Sequence, residues 1–215
     1  MPRVVEAGPE ALRLASELVG AGGLIIYPTD TVYGLGCDPL NEAAVRRVFE
    51  VKGRGAKPLP VLASGLEEAM RVAEFNELAL ELARSFWPGP LTLVLPKKPV
   101  LPDVVVCGLP SVGVRVPGHE FTLELLRACG GLLIGTSANK SGNPPPRTAE
   151  EAIRELGDLV DLVIKGGPAP LGRPSTVLDL TGPEPRVLRV GALPLSALEE
   201  RLGRKLSRAW PPSRP

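Results

Sequence analysis

Residues 27 to 38 read Tyr27-Pro28-Thr29-Asp30-Thr31-Val32-Tyr33-Gly34-Leu35-Gly36-Cys37-Asp38, directly after the apolar run Leu24-Ile25-Ile26. Hydroxyls, a carboxylate and a phenol crowd together there, and Gly34 and Gly36 permit positive φ or a close approach to the backbone. Such a stretch can cradle a ligand at a strand end. It can equally be a tight turn in which Thr and Asp satisfy backbone groups. Lys52, Arg54 and Lys57 then place cations beside Gly53 and Gly55. If that loop is extended, Lys52 and Arg54 project from the same side. They would then suit a multidentate anion such as a phosphate chain, Arg supplying a fork and Lys a point charge. A solvated surface loop is the other use of the same residues.

Further polar groups follow buried-looking segments. Thr136-Ser137-Ala138-Asn139-Lys140-Ser141-Gly142 offers hydroxyls, an amide and backbone N–H groups that can converge on one spot. Arg115 interrupts the small, apolar Val112-Gly113-Val114-Arg115-Val116, so its charge must be paired, bind a ligand or face water. Arg173-Pro174-Ser175-Thr176 opens another strand candidate, and Arg189 lies near the end of the next.

Familiar catalytic motifs are missing. Gly167 to Gly172 has Walker A spacing, but Arg173-Pro174 stands where Lys-Ser/Thr belongs. There is no G-x-G-x-x-G and no G-x-S-x-G elbow, and His119 is the single histidine. Cys37, Cys107 and Cys129 are scattered without a C-x-x-C pair, which argues against a disulfide framework or a zinc site. The inventory favours hydroxyls and cations over a nucleophile–base pair. It suits a reaction whose reactants bring their own nucleophile and leaving group, and whose catalyst positions them and neutralises charge.

The elements that must hold these groups alternate irregularly. Leu12, Ala15, Leu18 and Val19 have helical spacing, with Gly22-Gly23 as a stop. Asn41 caps a helix with the apolar face Ala44, Val45, Val48 and Phe49. Strands are expected at 24–27, 58–62, 91–95, 112–116, 132–134, 159–164, 175–180 and 187–190, with a valine triplet at 104–106. Helices are expected at 76–87 and 121–129. Ser64-x-x-Glu67, Thr148-x-x-Glu151 and Ser196-x-x-Glu199 have capping-box spacing and should each open a helix. These elements predict one α/β domain with a twisted, mixed parallel and antiparallel sheet flanked by helices, not a doubly wound one.

At 215 residues, 44% hydrophobic and 23% charged, the chain is sized for a single well-filled core. Its formal net charge of +1 provides no global field for nucleic acid, so any anion site is a local cluster. No apolar run is long enough to cross a bilayer, and the N-terminus lacks a signal-peptide core; a cytoplasmic protein without membrane contact is expected.

Taken in order, Pro28-Thr29-Asp30-Thr31-Val32-Tyr33-Gly34-Leu35-Gly36, Lys52-x-Arg54, Pro88-Gly89-Pro90-Leu91-Thr92, Val114-Arg115-Val116-Pro117, Thr136-Ser137-Ala138-Asn139 and Ser175-Thr176-Val177 resemble the YrdC-like threonylcarbamoyl-AMP synthases. The resemblance runs over residues 8–202. It implies a twisted α/β sheet with a concave, positively lined cavity, and a nucleotidyltransferase joining L-threonine, bicarbonate and ATP into threonylcarbamoyl-AMP and pyrophosphate. That product would serve a downstream threonylcarbamoyl transferase modifying the adenosine beside the tRNA anticodon. Carried over by position, Lys52, Arg54, Ser137 and Asn139 would hold ATP, and Lys57 would add phosphate contacts. Ser111 and Arg189 would complete the nucleotide side. Thr31, Arg115 and Ser175 would hold L-threonine, with Arg115 on its carboxylate. Mg²⁺ would arrive with the triphosphate, with no protein metal site.

Departures from the family pattern also show. Many longer members carry a histidine where this chain has Leu62-Ala63, and the chain looks like the short, one-domain form with a loose basic tail at 203–215. An RNA-binding module using the same basic concavity for double-stranded RNA or tRNA is the alternative. The near-neutral charge and few aromatics count against it.

Overall fold

A computed structural model describes residues 2–53 and 55–208. In chain order the elements are β1 (Arg3–Glu6), α1 (Pro9–Gly20), β2 (Ile25–Tyr27), β3 (Gly34–Gly36), α2 (Glu42–Lys52), β4 (Val61–Ala63), α3 (Leu66–Val72) and α4 (Glu77–Phe86). There follow β5 (Leu91–Pro96), α5 (Asp103–Val106), β6 (Ser111–Arg115), α6 (Glu120–Ala128), β7 (Leu132–Ile134) and β8 (Thr136–Ser137). The described chain closes with α7 (Ala149–Leu156), β9 (Leu162–Lys165), β10 (Thr176–Asp179), β11 (Arg186–Arg189), α8 (Leu195–Leu202) and β12 (Ser207–Arg208).

The mixed α/β class is as expected, and the strands divide between two mixed sheets. One is five-stranded in the order β1-β9-β2-β3-β8; the other is seven-stranded in the order β12-β11-β10-β5-β6-β4-β7. Gly135 alone separates β7 in the larger sheet from β8 in the smaller, so the chain changes sheet at that residue. Its N–H is held by the Pro60 carbonyl at 2.8 Å, and a Cβ there would run into the Leu62 side chain. Only glycine fits that crossing.

Along the central strands the buried side chains alternate between two apolar clusters, with the two-residue period of a sheet covered on both faces. Leu24 and Ile26 join the larger apolar cluster, while Ile25 and Tyr27 join a smaller one with Leu14 and Val19 of α1 and Leu125 and Leu126 of α6. β4 splits in the same way: Val61 and Ala63 face the larger cluster, Leu62 the smaller.

Asn41, Asn76 and Thr148 cap α2, α4 and α7, their side chains accepting the N–H of Ala44, Ala79 and Glu151. Two expected capping boxes start elsewhere. The N-cap of α3 is Gly65, because Ser64 still follows β4 and gives its N–H to the Gly131 carbonyl. Pro194, fixed at φ −61°, precedes α8 and leaves Ser196 inside its first turn. The expected strand at 58–62 is displaced to Val61–Ala63, since Pro58 and Pro60 have no N–H to pair. The valine triplet at 104–106 is helical, within α5. β1 and β12 lie outside the span 8–202: β1 pairs parallel with β9, and Ser207 pairs with Arg186 of β11. Residues 209–215 of the expected tail lie outside the described residues, as does Arg54.

Candidate functional site

The turn between β2 and β3 is built on one hydroxyl. Thr29 Oγ1 donates to the Val32 carbonyl at 2.7 Å and accepts the N–H of Thr31 at 3.1 Å. β3 then returns antiparallel over β2, pairing Gly34 with Tyr27 and Gly36 with Ile25. A Cβ at either glycine would strike the Tyr27 ring, and at Gly36 the Ile134 carbonyl as well. Burial pushes the Tyr27 phenol far up, the charge on Arg115 pulling the other way. The phenol therefore stays protonated and donates to the Ile134 carbonyl at 2.7 Å. The glycines serve strand packing as well as any ligand.

Arg115 ends β6 with its guanidinium buried. Nε donates to the Gly89 carbonyl at 2.9 Å and Nη1 to Thr31 Oγ1 at 2.9 Å, while Nη2 pairs with Asp30 Oδ1. Burial draws the Arg115 pKa down, and the Asp30 carboxylate opposes it. The sequence left three uses open for this charge; the structure pairs it, and still sets the guanidinium in a cavity wall. Beside it, Thr92 on β5 and Ser175 share a hydroxyl hydrogen bond of 2.7 Å. Arg189 at the end of β11 donates through Nη2 to Ser175 Oγ at 3.1 Å and through Nε to the Ser175 carbonyl at 3.0 Å.

Lys52 is not on an extended loop. It closes α2, followed by Gly53 in a left-handed C-cap at φ 54°, and is 2% exposed. Its ammonium donates to the carbonyls of Ser137 and Asn139 at 2.5 and 2.7 Å. Lys52, Ser137 and Asn139 are thus one assembly in which the lysine fastens the 137–139 backbone. Asn139 Nδ2 is held by the carbonyls of Lys140 and Asn143, and its Oδ1, like Asp30 Oδ2, is buried with no hydrogen-bond partner among the described residues.

These groups meet at a cavity of about 160 Å³ whose wall comes from both sheets. β3 and β8 contribute Gly34, Thr136 and Ser137; β4, β5, β6 and β11 contribute Leu62, Thr92, Arg115 and Arg189. Thr29, Thr31 and Ser175 come from adjoining turns, and Pro145 closes one side, its neighbour Pro146 accepting the Tyr33 N–H at 2.9 Å.

Of the expected site residues, Thr31, Arg115, Ser137, Ser175 and Arg189 line this cavity. Lys52 and Asn139 stand behind Ser137 and outside the lining. Lys57 is exposed on the loop after α2. Ser111 begins the strand that Arg115 ends, about 13 Å away at the usual rise of a strand, and is not in the lining. Arg54 falls outside the described residues. Thr29, Asp30, Thr92 and Leu62 were not singled out as site residues. Their signal was in the sequence only as neighbours of Thr31, Leu91 and Pro60; nothing in residue type told which hydroxyl faced inward.

Nucleophilic chemistry has no support here. Burial pushes the Cys37 and Cys129 thiols up to about 12. His119 is engaged as the N-cap of α6. The described residues hold no group of three or more His, Cys, Asp or Glu side chains fit for a metal ion. What the cavity offers is directed donors, a buried cation and a small apolar wall.

The family model for Sua5, YciO and YrdC, described as "Telomere recombination", matches residues 17–191. A Pyrococcus abyssi protein named threonylcarbamoyl-AMP synthase is 43% identical over 194 residues, covering 89% of this chain and 57% of its own length. A Mycobacterium tuberculosis relative is 41% identical over 188 residues, 86% of each chain. The solved structure of P. abyssi Sua5 complexed with L-threonine superposes with a TM-score of 0.91 at 40% identity, covering 97% of this chain and 62% of that one. The chain thus spans little more than half the length of the P. abyssi relative.

Proposed function

Because the chain belongs to the Sua5, YciO and YrdC family, we propose that it is a threonylcarbamoyl-AMP synthase. Its substrates on this reading are L-threonine, bicarbonate and ATP. The threonine nitrogen bonds to the bicarbonate carbon with loss of water. A carbamate oxygen then attacks the α-phosphorus and pyrophosphate leaves. The product passes to a transferase that modifies tRNA beside the anticodon, and the work is cytoplasmic. Among the described residues no helix is long and apolar enough to cross a membrane.

The observation that carries the reading is the pairing of Arg115 with Thr31 in the cavity wall. A buried guanidinium whose terminal nitrogens each keep a further N–H suits the carboxylate of an amino acid. Ser175, with Thr92 and Arg189 behind it, completes that end. The adenylate end is assigned to Ser137 and Asn139, which Lys52 holds in place, with Arg54, Lys57, Ser111 and Arg189 as the remaining nucleotide contacts. Asn139 Oδ1 is buried and without a partner among the described residues. On this reading Mg²⁺ would enter on the triphosphate and be held largely by phosphate oxygens and water. It would neutralise the leaving pyrophosphate, while the chain's own part is to orient and desolvate.

Pyrophosphate release by the purified protein with ATP and Mg²⁺ should require both L-threonine and bicarbonate. Release indifferent to either would overturn the reading. Strongly salt-dependent binding of RNA without such release would favour the RNA-binding alternative.

A further inference from the structure

Asn139 lies outside the cavity lining, and its amide is set by its own neighbours. Nδ2 donates to the carbonyls of Lys140 and Asn143 at 2.9 and 2.7 Å. Only the nitrogen of an amide can donate to two carbonyls, so these bonds fix which way the group faces. The Lys140 carbonyl is next in the chain. The Asn143 carbonyl is in reach only while residues 140–143 keep their turn, in which the Asn143 N–H bonds the Lys140 carbonyl at 3.1 Å. Two elements grip that turn. From α2, the Lys52 carbonyl accepts the Ser141 N–H at 2.9 Å. From α7, Glu155 accepts the Lys140 N–H at 3.1 Å and the Asn143 side-chain amide at 2.9 and 3.0 Å. Glu155 stands in the last turn of α7, where the helix dipole opposes a carboxylate. The Asn143 amide and the Lys140 N–H offset this, with the charges of Lys140 and Lys52 behind them, and hold its pKa below the usual carboxylate value.

From this we infer that Glu155 is a positioning residue for the nucleotide: by holding Asn143 and Lys140 it sets the turn that orients the Asn139 amide. The inference rests on the assignment of Ser137 and Asn139 to the adenylate end of a synthase. It adds that α7, which contributes no residue to the cavity wall, reaches the nucleotide through two side chains in series. A role through charge alone has the opposite sign. Glu155 is an anion on the side assigned to a triphosphate, so removing its charge alone would favour ATP. Loosening the turn should instead weaken ATP, and should leave the amino-acid end around Arg115 untouched.

The test measures pyrophosphate release with ATP and Mg²⁺, varying ATP and L-threonine separately. Glu155→Ala should raise the KM for ATP about tenfold, as for loss of a hydrogen bond to a charged group, and leave that for L-threonine within about twofold. Glu155→Gln, uncharged but with one acceptor oxygen kept, should fall between Ala and wild type. Asn143→Ala should reproduce most of the rise, and it carries the test if Glu155→Ala does not fold. The pair of substitutions should be within about twofold of Glu155→Ala, as for residues acting through one link. Glu150→Ala, which removes an ion pair with Lys165 from the same helix, should leave both constants unchanged. The inference is overturned by a lower or unchanged KM for ATP in Glu155→Ala, or by a parallel rise in both constants. The same rise in Glu150→Ala, a Gln variant no better than Ala, or fully additive losses in the pair would also overturn it. Threonine-dependent pyrophosphate release by wild-type protein alongside any of those results overturns it alone. Wild-type protein that binds no ATP would remove the synthase reading with it.

Discussion

At the scale of single residues the decisive fact is that Arg115 serves two masters. Its ion pair with Asp30 has both side chains about 5% exposed, and desolvation makes such a pair weak evidence for net stability. Removing only one partner, however, leaves a buried charge stranded, at about 3–5 kcal/mol. Arg115→Met should therefore lose folding stability of that order in a denaturant titration and raise the KM for L-threonine about tenfold or more, while leaving the KM for ATP near its wild-type value. Adding Asp30→Asn removes the stranded carboxylate. The double variant should regain most of the stability and none of the threonine affinity. Equal recovery of both would mean that Arg115 acts on the fold and not on the ligand. Lys52 shows what residue type alone does not tell: its ammonium donates to the backbone carbonyls of Ser137 and Asn139, which ties the end of α2 to the segment after β8.

At the scale of elements, α6 begins at His119, whose Nδ1 accepts the Thr122 N–H at 3.3 Å. Burial lowers the His119 pKa, the nearby Asp30 carboxylate opposing it. The unfolded chain binds the proton at the ordinary histidine value, about 6.5, and the folded chain only at lower pH. Between those values the unfolded state carries more protons, so stability rises with pH there. It is complete above the unfolded value and lost as pH falls through the folded one. Because His119 is the single histidine, thermal melts in the range of about pH 5 to 7.5 should show a slope that His119→Asn abolishes. Asn keeps the cap, whereas His119→Ala should cost about 0.5–2 kcal/mol throughout. A slope that survives in His119→Asn would place the titration elsewhere. The elements were largely legible because their signals are local: Asn41 and Thr148 cap where expected, and the helix expected from Asn76 starts one residue later with Asn76 as its cap. The short strands β3 and β8 were not. Gly34-Leu35-Gly36 and Thr136-Ser137 carry no period of their own and become strands through their partners, Gly34 opposite Tyr27 on one side and Ser137 on the other. The change of sheet at Gly135 was hidden for the same reason, since it depends on where Leu62 lies.

At the scale of the molecule, the cavity lies where two sheets meet, and that decides how a ligand should act. Arg115 and Thr92 belong to the seven-stranded sheet, Ser137 and Gly34 to the five-stranded one, and the wall includes all four. A substrate touching both walls binds only when the sheets are in register, so its binding energy adds to the stability of the whole chain and not to one loop. At a concentration of about 100 Kd a ligand confined to the folded state contributes about 2.7 kcal/mol. For a domain of this size that corresponds to roughly 5–10 °C in Tm. L-threonine should raise the melting temperature by that amount as a single transition, and the Asp30→Asn, Arg115→Met protein, whose stability is restored, should show almost none at the same concentration. Added salt should change the shift little, because Arg115 is buried and a buried contact is poorly screened. A shift that disappears in high salt would instead point to exposed cations as the binding groups. A shift that survives intact in the double variant would move threonine out of this cavity altogether.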